Sequence, residues 1–379
     1  MEFRNLKKQY EVLKKEIDGS VQKVCANSNF ISGAEVKELE SELAQYVGTR
    51  HCITCANGTD ALTLALMTLG IGEGDCVFVP DFTFFATAET VSFEGAVPIF
   101  VDVDYETFNI CPKSLEKAIE ETLKNTQLKP RAIITVDLFG LPADYAAIKE
   151  IADRYSLKLV EDGAQGFGGN IKGKNVCSFA DIATTSFFPA KPLGCYGDGG
   201  AIFTDGDEQE ELIRSYAVHG KNSEDKYNNI RIGMNSRLDT IQAAVLLAKF
   251  KAFKEHELED VNRAAQYYTR ELFDRVKTPT IPQGFYSSWA QYTIKLEGEA
   301  QRNELMEFLK AKDIPTMVYY PRTMSEQGAL AQYLGYQPFE CAVAKKLCRV
   351  CVSLPIGPYI TKPEQDRVID AIKEFLSLR

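Results

Sequence analysis

No stretch of the chain approaches the roughly 18 consecutive apolar residues that a membrane-spanning helix needs. The opening residues, Met1-Glu2-Phe3-Arg4-Asn5-Leu6-Lys7-Lys8, also lack the apolar centre of a secretory signal. A cytoplasmic protein with no membrane partner is expected. Blocks of Lys and Arg are missing too: 43 basic residues against 53 acidic ones leave a net charge of −10. Broad binding to nucleic acid needs a positive footprint, so no nucleic-acid partner is expected and any phosphate must be held locally. Ten cysteines in 379 residues are too dilute for a disulfide scaffold. Two CxxC pairs, Cys52/Cys55 and Cys348/Cys351, fall in strand-like stretches, where residues three apart face opposite sides instead of converging on zinc. No metal site is expected. There is no repeat, no low-complexity segment and no Walker lysine motif. The run Gly166-Phe167-Gly168-Gly169-Asn170-Ile171 begins like a dinucleotide fingerprint but carries Ile where the third glycine belongs. That failure counts against a nicotinamide-dependent oxidoreductase.

What is present is an ordinary globular balance, with 45% hydrophobic, 25% charged and 11% aromatic residues. The length predicts two to three domains. Leu6, Tyr10, Leu13 and Ile17 lie at helical spacing. Ser32 and Glu35 have capping-box spacing ahead of Val36, Leu39, Leu43 and Val47, with Gly48 as the stop. A strand over 51–55 is followed by Asn57-Gly58-Thr59-Asp60 and an apolar helix over 61–69. Further strands are expected at 76–79, 97–101, 132–136, 157–161, 182–186 and 201–204, with helices at 114–123 and 145–154. Continuous apolar strands alternating with helices predict an α/β large domain built on a mostly parallel, doubly covered sheet. After about residue 244 the texture changes to long charged amphipathic segments and short strands at 292–296 and 316–320, which predicts a smaller α+β domain. The expected division is an N-terminal helical segment 1–20, a large domain 21–250 and a small C-terminal domain 251–379.

In open parallel sheets ligands gather beyond the carboxyl ends of the strands. There the sequence places, in order, an anion cradle at Asn57-Gly58-Thr59, the aromatic cluster Phe82-Thr83-Phe84-Phe85, a strand-end acid at Asp162, and Ser186 five residues before Lys191. Each part alone has a plain structural explanation, as a helix cap, a strand end or a surface lysine. Together they supply what pyridoxal phosphate requires: N–H donors for phosphate, a flat apolar face, an acid for the pyridine nitrogen and an amine for the aldehyde.

The sequence resembles the nucleotide-sugar aminotransferases of the DegT/DnrJ type, enzymes of the fold-type I aminotransferase class. The likeness runs through Phe3-Arg4-Asn5-Leu6-Lys7, Ile31-Ser32-Gly33-Ala34-Glu35-Val36, Asn57-Gly58-Thr59-Asp60-Ala61-Leu62 and Phe82-Thr83-Phe84-Phe85-Ala86-Thr87-Ala88. It continues through Glu161-Asp162-Gly163-Ala164-Gln165, residues 186–201, Gly233-Met234-Asn235-Ser236-Arg237-Leu238-Asp239 and Val318-Tyr319-Tyr320-Pro321. The resemblance implies Lys191 as the lysine that joins the pyridoxal 5′-phosphate aldehyde and Asp162 as the partner of its ring nitrogen. It further implies Gln165 beside the phenolic oxygen, Phe84 against the ring, and Gly58, Thr59 and Ser186 on the phosphate. Asn235 is implied to reach the neighbouring subunit's cofactor, hence a homodimer with shared sites. Relatives that dehydrate their sugar carry His where this chain has Lys191, which favours amino transfer.

The turn Gly197-Asp198-Gly199-Gly200 resembles members acting at sugar C3, whereas C4 enzymes tend to read Thr-x-Glu-Gly-Gly. The resemblance is closest to enzymes that aminate UDP-linked 2-acetamido-3-keto-glucuronic acid for lipopolysaccharide O-antigen synthesis, and it implies transfer from L-glutamate to C3 of that sugar. The alternatives are a dTDP- or GDP-linked 3-keto-6-deoxyhexose, or a 4-keto sugar. Arg237 could bind a glutamate or uronate carboxylate through its fork, and Tyr319 and Tyr320 are expected at the sugar. The enzymes that aminate the 3-keto-glucuronate often read His-Tyr-Pro where this chain has Tyr319-Tyr320-Pro321, and the segment 322–327 also departs from their pattern. A non-catalytic pyridoxal-binding regulator would keep the cradle but should add a basic nucleic-acid module, and none is visible.

Overall fold

Seven strands form the central sheet of the computed structural model, which describes residues 1–222, 225 and 227–378. They are β1 (His51–Cys55), β2 (Asp75–Pro80), β3 (Val97–Val101), β4 (Lys129–Val136), β5 (Lys158–Asp162), β6 (Ile182–Ser186) and β7 (Gly200–Thr204). Their order across the sheet is β1-β7-β6-β5-β4-β2-β3, and β7 alone runs against its neighbours. The strands read as unbroken apolar runs because both faces are covered. In β4, Ala132, Ile134 and Val136 join the core on one face while Ile133 joins the core on the other.

Twelve α-helices accompany the sheet among the described residues: α1 (Leu6–Asn27), α2 (Ala34–Val47), α3 (Gly58–Thr68), α4 (Ala86–Phe93), α5 (Pro112–Asn125), α6 (Tyr145–Arg154), α7 (Asp207–Tyr216), α8 (Thr240–Ala252), α9 (Leu258–Leu272), α10 (Glu299–Ala311), α11 (Ala342–Val350) and α12 (Lys362–Ser377). One face of the sheet buries residues of α3, α4 and α7. On the other face α5 and α6 cover one half, and α2 and α8 the other. A separate core, centred on Ala265, Tyr268, Leu305, Leu309, Val368 and Ile372, encloses an antiparallel pair, β8 (Tyr292–Lys295) with β9 (Cys351–Leu354). That core draws its buried residues from 261 onward, which is the ground on which we propose a division near residue 250.

The helix of Leu6, Tyr10, Leu13 and Ile17 spans Leu6–Asn27, its apolar side packed against Val245 and Ala252 of α8. Other local expectations are corrected. Ser32 and Glu35 form no capping box: Ser32 lies at φ 55° and Gly33 caps α2, its N–H donating to Thr240 Oγ1 at 3.1 Å. A long-range partner has replaced the local one. Residues 316–320 form no strand, and only Met317 bridges Ser353 beside β9. Cys348 is not in a strand but in the last turn of α11.

Candidate active site

All strands except β7 point their carboxyl ends the same way, and the first residues of β7 lie at that edge too. The chain between β1 and α3 starts the site. Asn57 caps α3, its Oδ1 accepting the Asp60 N–H at 2.8 Å, so the first N–H groups of the helix remain for an anion. A Cβ at Gly58 would lie 2.7 Å from Ser186 Cβ, and one at Gly200 would lie 2.5 Å from Asn57 O. Glycine is needed at both places because β1, β6 and β7 converge there. The same packing sets Gly58, Thr59 and Ser186 side by side.

Asp162 ends β5 and is buried. Its carboxylate accepts Ala164 N–H at 3.1 Å and Thr87 Oγ1–H at 3.4 Å, with Thr83 Oγ1 a further 3.0 Å from Thr87. Burial raises its pKa, while Lys191 and these donors oppose the rise. Lys191 follows β6 in a tight loop, its N–H donating to Phe188 O at 2.9 Å. Burial lowers its pKa, Asp162 pulls it back up and the Arg4 cation lowers it further. The loop is propped from below by Lys249, a buried residue of α8 that donates to Gly194 O. Burial lowers Lys249 to about 8.

Gln165 forms the next wall. Its Oε1 accepts Phe139 N–H at 2.7 Å and its Nε2 donates to Tyr320 OH at 2.9 Å. The Tyr320 ring lies 6.1 Å from Phe82, 6.3 Å from Phe84 and 5.7 Å from Tyr319. Phe84 is exposed, leaving an aromatic face available to a flat ring. The loop over this wall is pinned by Asp81, which accepts Ser325 N–H at 2.7 Å and Ser325 Oγ–H at 2.8 Å.

The fold thus gathers Gly58, Thr59, Phe84, Asp162, Gln165, Ser186, Lys191, Tyr319 and Tyr320 at one edge. Asn235 and Arg237 are exposed on the segment between α7 and α8. Asn235 bridges Val218, and Ser236 Oγ accepts Ala56 N–H at 3.1 Å, which ties the segment to the end of β1. Arg237 lines a surface groove with Ser32, Lys37, Glu40 and Arg214. Among the described residues, no hydrogen bond or ion pair joins it to Lys191. Three contributors carry no chemical signature in the sequence: Lys249 reads as one more charge on an amphipathic helix, Phe139 acts through its backbone, and Arg4 precedes the first helix. Thr87 could have been found, since it stands four residues from Thr83 on the helix that follows the aromatic cluster.

This donor set fits pyridoxal phosphate. The glycine cradle admits no side chain, the buried acid retains acceptor capacity, and the lysine is made less basic by its surroundings. The model of the DegT/DnrJ/EryC1/StrS aminotransferase family matches residues 11–373. The chain belongs to that family. The aminotransferase is similar to the UDP-2-acetamido-2-deoxy-3-oxo-D-glucuronate aminotransferase of Pseudomonas aeruginosa, with 44% identity over 95% of this chain and 96% of that one. It is 43% identical to a protein of Geobacillus stearothermophilus named a pleiotropic regulatory protein, over 98% of this chain and 97% of that one. The crystal structure of a DegT DnrJ EryC1 StrS aminotransferase from Brucella abortus superimposes with a TM-score of 0.95, 46% identity and 99% coverage of both chains. The fold is that of the aminotransferases, and the enzyme depends on pyridoxal phosphate.

Proposed function

We propose that this aminotransferase moves an amino group from L-glutamate to C3 of a UDP-linked 2-acetamido-3-keto-glucuronic acid, in lipopolysaccharide O-antigen sugar synthesis. The observation that carries the reading is the 44% identity, across nearly the whole chain, to an enzyme named for a 3-oxo-glucuronate substrate. The turn past Lys191 supports it. Added Cβ atoms at Gly199 and Gly200 would lie 2.9 Å from Leu238 Cδ1 and 2.5 Å from Asn57 O, so packing alone demands those glycines. Asp198 is exposed and is the position where the turn can differ chemically. The alternative acceptors are dTDP- or GDP-linked 3-keto-6-deoxyhexoses, or a 4-keto sugar.

When bound, pyridoxal phosphate supplies an electrophilic aldehyde and an electron sink. The phosphate would be held by the N–H groups at Gly58 and Thr59 and by Ser186, with Asn235 of a second copy completing the site. Phe84 would cover one ring face and Gln165 would reach the phenolic oxygen. Asp162 would hold a proton at the ring nitrogen, and that positive charge would offset the cost of burying its carboxylate. Lys191, less basic than the ordinary 10.4 or so, can act as nucleophile and then as the base that takes the proton from the donor's Cα. Exposed Ile230 and Ile232 lie on the segment that carries Asn235, as an apolar patch would in a homodimer with shared sites. No described helix is long and apolar enough to cross a membrane, and we place the enzyme in the cytoplasm with its nucleotide-sugar substrate.

The test is a set of half-reactions of the pyridoxamine form against UDP-, dTDP- and GDP-linked 3-keto and 4-keto sugars, with Lys191→Ala alongside. Turnover of the UDP-linked 3-keto uronate and its loss in Lys191→Ala are expected. No turnover across the panel would instead favour a regulatory role, as the name of the Geobacillus relative suggests.

A further inference from the structure

The residues ahead of α1 run beside Tyr319, the neighbour of Tyr320 in the Gln165–Tyr320 wall. Phe3 O accepts the Ile356 N–H at 3.2 Å, and the Phe3 ring lies 6.3 Å from that of Tyr319. The stem of Arg4 passes Gly357, where an added Cβ would come within 3.7 Å of Arg4 Cγ. Arg4 is close enough for its charge to act on both Tyr319 and Lys191, and the Tyr319 ring lies beside that of Tyr320.

Its guanidinium is left in an unusual state. Nη1 is sealed from solvent and has no hydrogen-bond partner, and no ion pair joins the group to a carboxylate among the described residues. Glu257, the acid whose charge it feels most, is already engaged. That carboxylate accepts Gln9 Nε2–H at 2.9 and 3.1 Å and Tyr359 O–H at 2.6 Å. The other charged groups whose titration Arg4 alters are cations, Lys191 and Lys249. Burial lowers Arg4 to about 10, which still leaves it charged at neutral pH.

A buried Lys or Asp can neutralise itself by titration, but a guanidinium at neutral pH cannot, so an unpaired one stays costly until an anion arrives. An exposed pair such as Arg263 with Glu259, at 2.9 Å, keeps both its acid and its water. Nη1 of Arg4 has neither.

We propose that Arg4 is a carboxylate-binding residue of the substrate site, its unpaired guanidinium receiving a carboxylate of the amino donor or of the uronate acceptor. This inference rests on the aminotransferase reading above and adds a second cation to the one expected at Arg237.

The test uses the cofactor-loaded enzyme and two variants, Arg4→Gln and Arg4→Lys. Glutarate, a dicarboxylate with no amine to transfer, is titrated against the cofactor absorbance. Separately, kcat/KM is compared for a 3-keto uronate and its C6-neutral counterpart. Loss of a charge-assisted fork predicts that Arg4→Gln weakens one of the two at least tenfold, with Arg4→Lys in between. Weaker glutarate binding with unchanged acceptor discrimination places the donor carboxylate on Arg4, whereas the reverse places the uronate there. A change under tenfold in both overturns the proposal. Removing an unpaired buried charge should leave the ligand-free protein melting no lower than wild type. A lower melting temperature with both affinities reduced would mark Arg4 as structural and also overturn the proposal. Glutarate binding is read whether or not any sugar is turned over, so a wrong sugar assignment leaves this test standing.

Discussion

Replacing Asp137 by Asn should flatten the pH dependence of stability, because Asp137 and Glu161 form a buried acid pair beneath the site. Asp137 Oδ1 accepts Ala143 N–H at 2.9 Å and Tyr145 O–H at 2.8 Å, while its Oδ2 is buried without a donor. Glu161 accepts Cys177 N–H at 2.5 Å and Phe179 N–H at 2.8 Å and faces Asp137. Two such carboxyls can coexist only by sharing a proton. The other titratable groups around them are Tyr145, Asp162, Cys177 and, more distantly, Lys174. Burial raises Asp137 well above the usual range and Glu161 to about 7 from its ordinary 4.5. A raised folded-state pKa means that the native protein holds the proton more tightly. The stabilisation is therefore full below about pH 4.5 and is lost as pH rises through about 7. At about 1.36 kcal/mol per pKa unit the whole loss is about 3 kcal/mol. An Asn at 137 can keep its oxygen on Ala143 and Tyr145 and turn its amide to Glu161, a donor that never titrates. Urea unfolding at pH 5 and pH 8 checks this: the loss of stability between the two pH values should be several-fold smaller in Asp137→Asn than in wild type. Equal differences in wild type and Asp137→Asn would refute the shared proton.

Asp162→Asn should leave the fold intact and cofactor bound but slow Cα deprotonation by roughly 10³-fold, about 4 kcal/mol, measured by single-turnover absorbance; an unchanged rate would return Asp162 to a structural role. Gly58→Ala would bring a Cβ to 2.7 Å from Ser186 Cβ. It should weaken pyridoxal phosphate binding by about 1–3 kcal/mol in a fluorescence titration, and wild-type affinity would show that the cradle is looser than described. Mixed dimers of Lys191→Ala with Asn235→Ala subunits should recover one intact site, so activity no higher than the better parent would place Asn235 in its own subunit.

The strands were legible because a doubly covered sheet writes itself as apolar runs: 51–55, 97–101 and 182–186 match β1, β3 and β6 to the residue. The edge that gathers Gly58, Asp162, Ser186 and Lys191 was legible for the related reason that loops after parallel strands meet in one place. Signals that depend on distant partners were not. Ser32 and Glu35 have the spacing of a cap, yet Thr240, far along the chain on α8, takes the Gly33 N–H instead. Residues 316–320 alternate like a strand but have only Ser353 beside them. Lys249 and Phe139 enter the site through tertiary packing, and no local pattern marks them; Arg4 lies in the Phe3–Lys7 stretch, which shows a likeness but no chemical role.

The most direct test of the central claim follows the nitrogen itself. Wild-type enzyme is given ¹⁵N-labelled L-glutamate and the UDP-linked 2-acetamido-3-keto uronate generated in situ, and the product is read by NMR. The label is expected on C3 of the sugar ring. A label on C4, or none on this sugar while a 4-keto acceptor is aminated readily, would contradict the assignment.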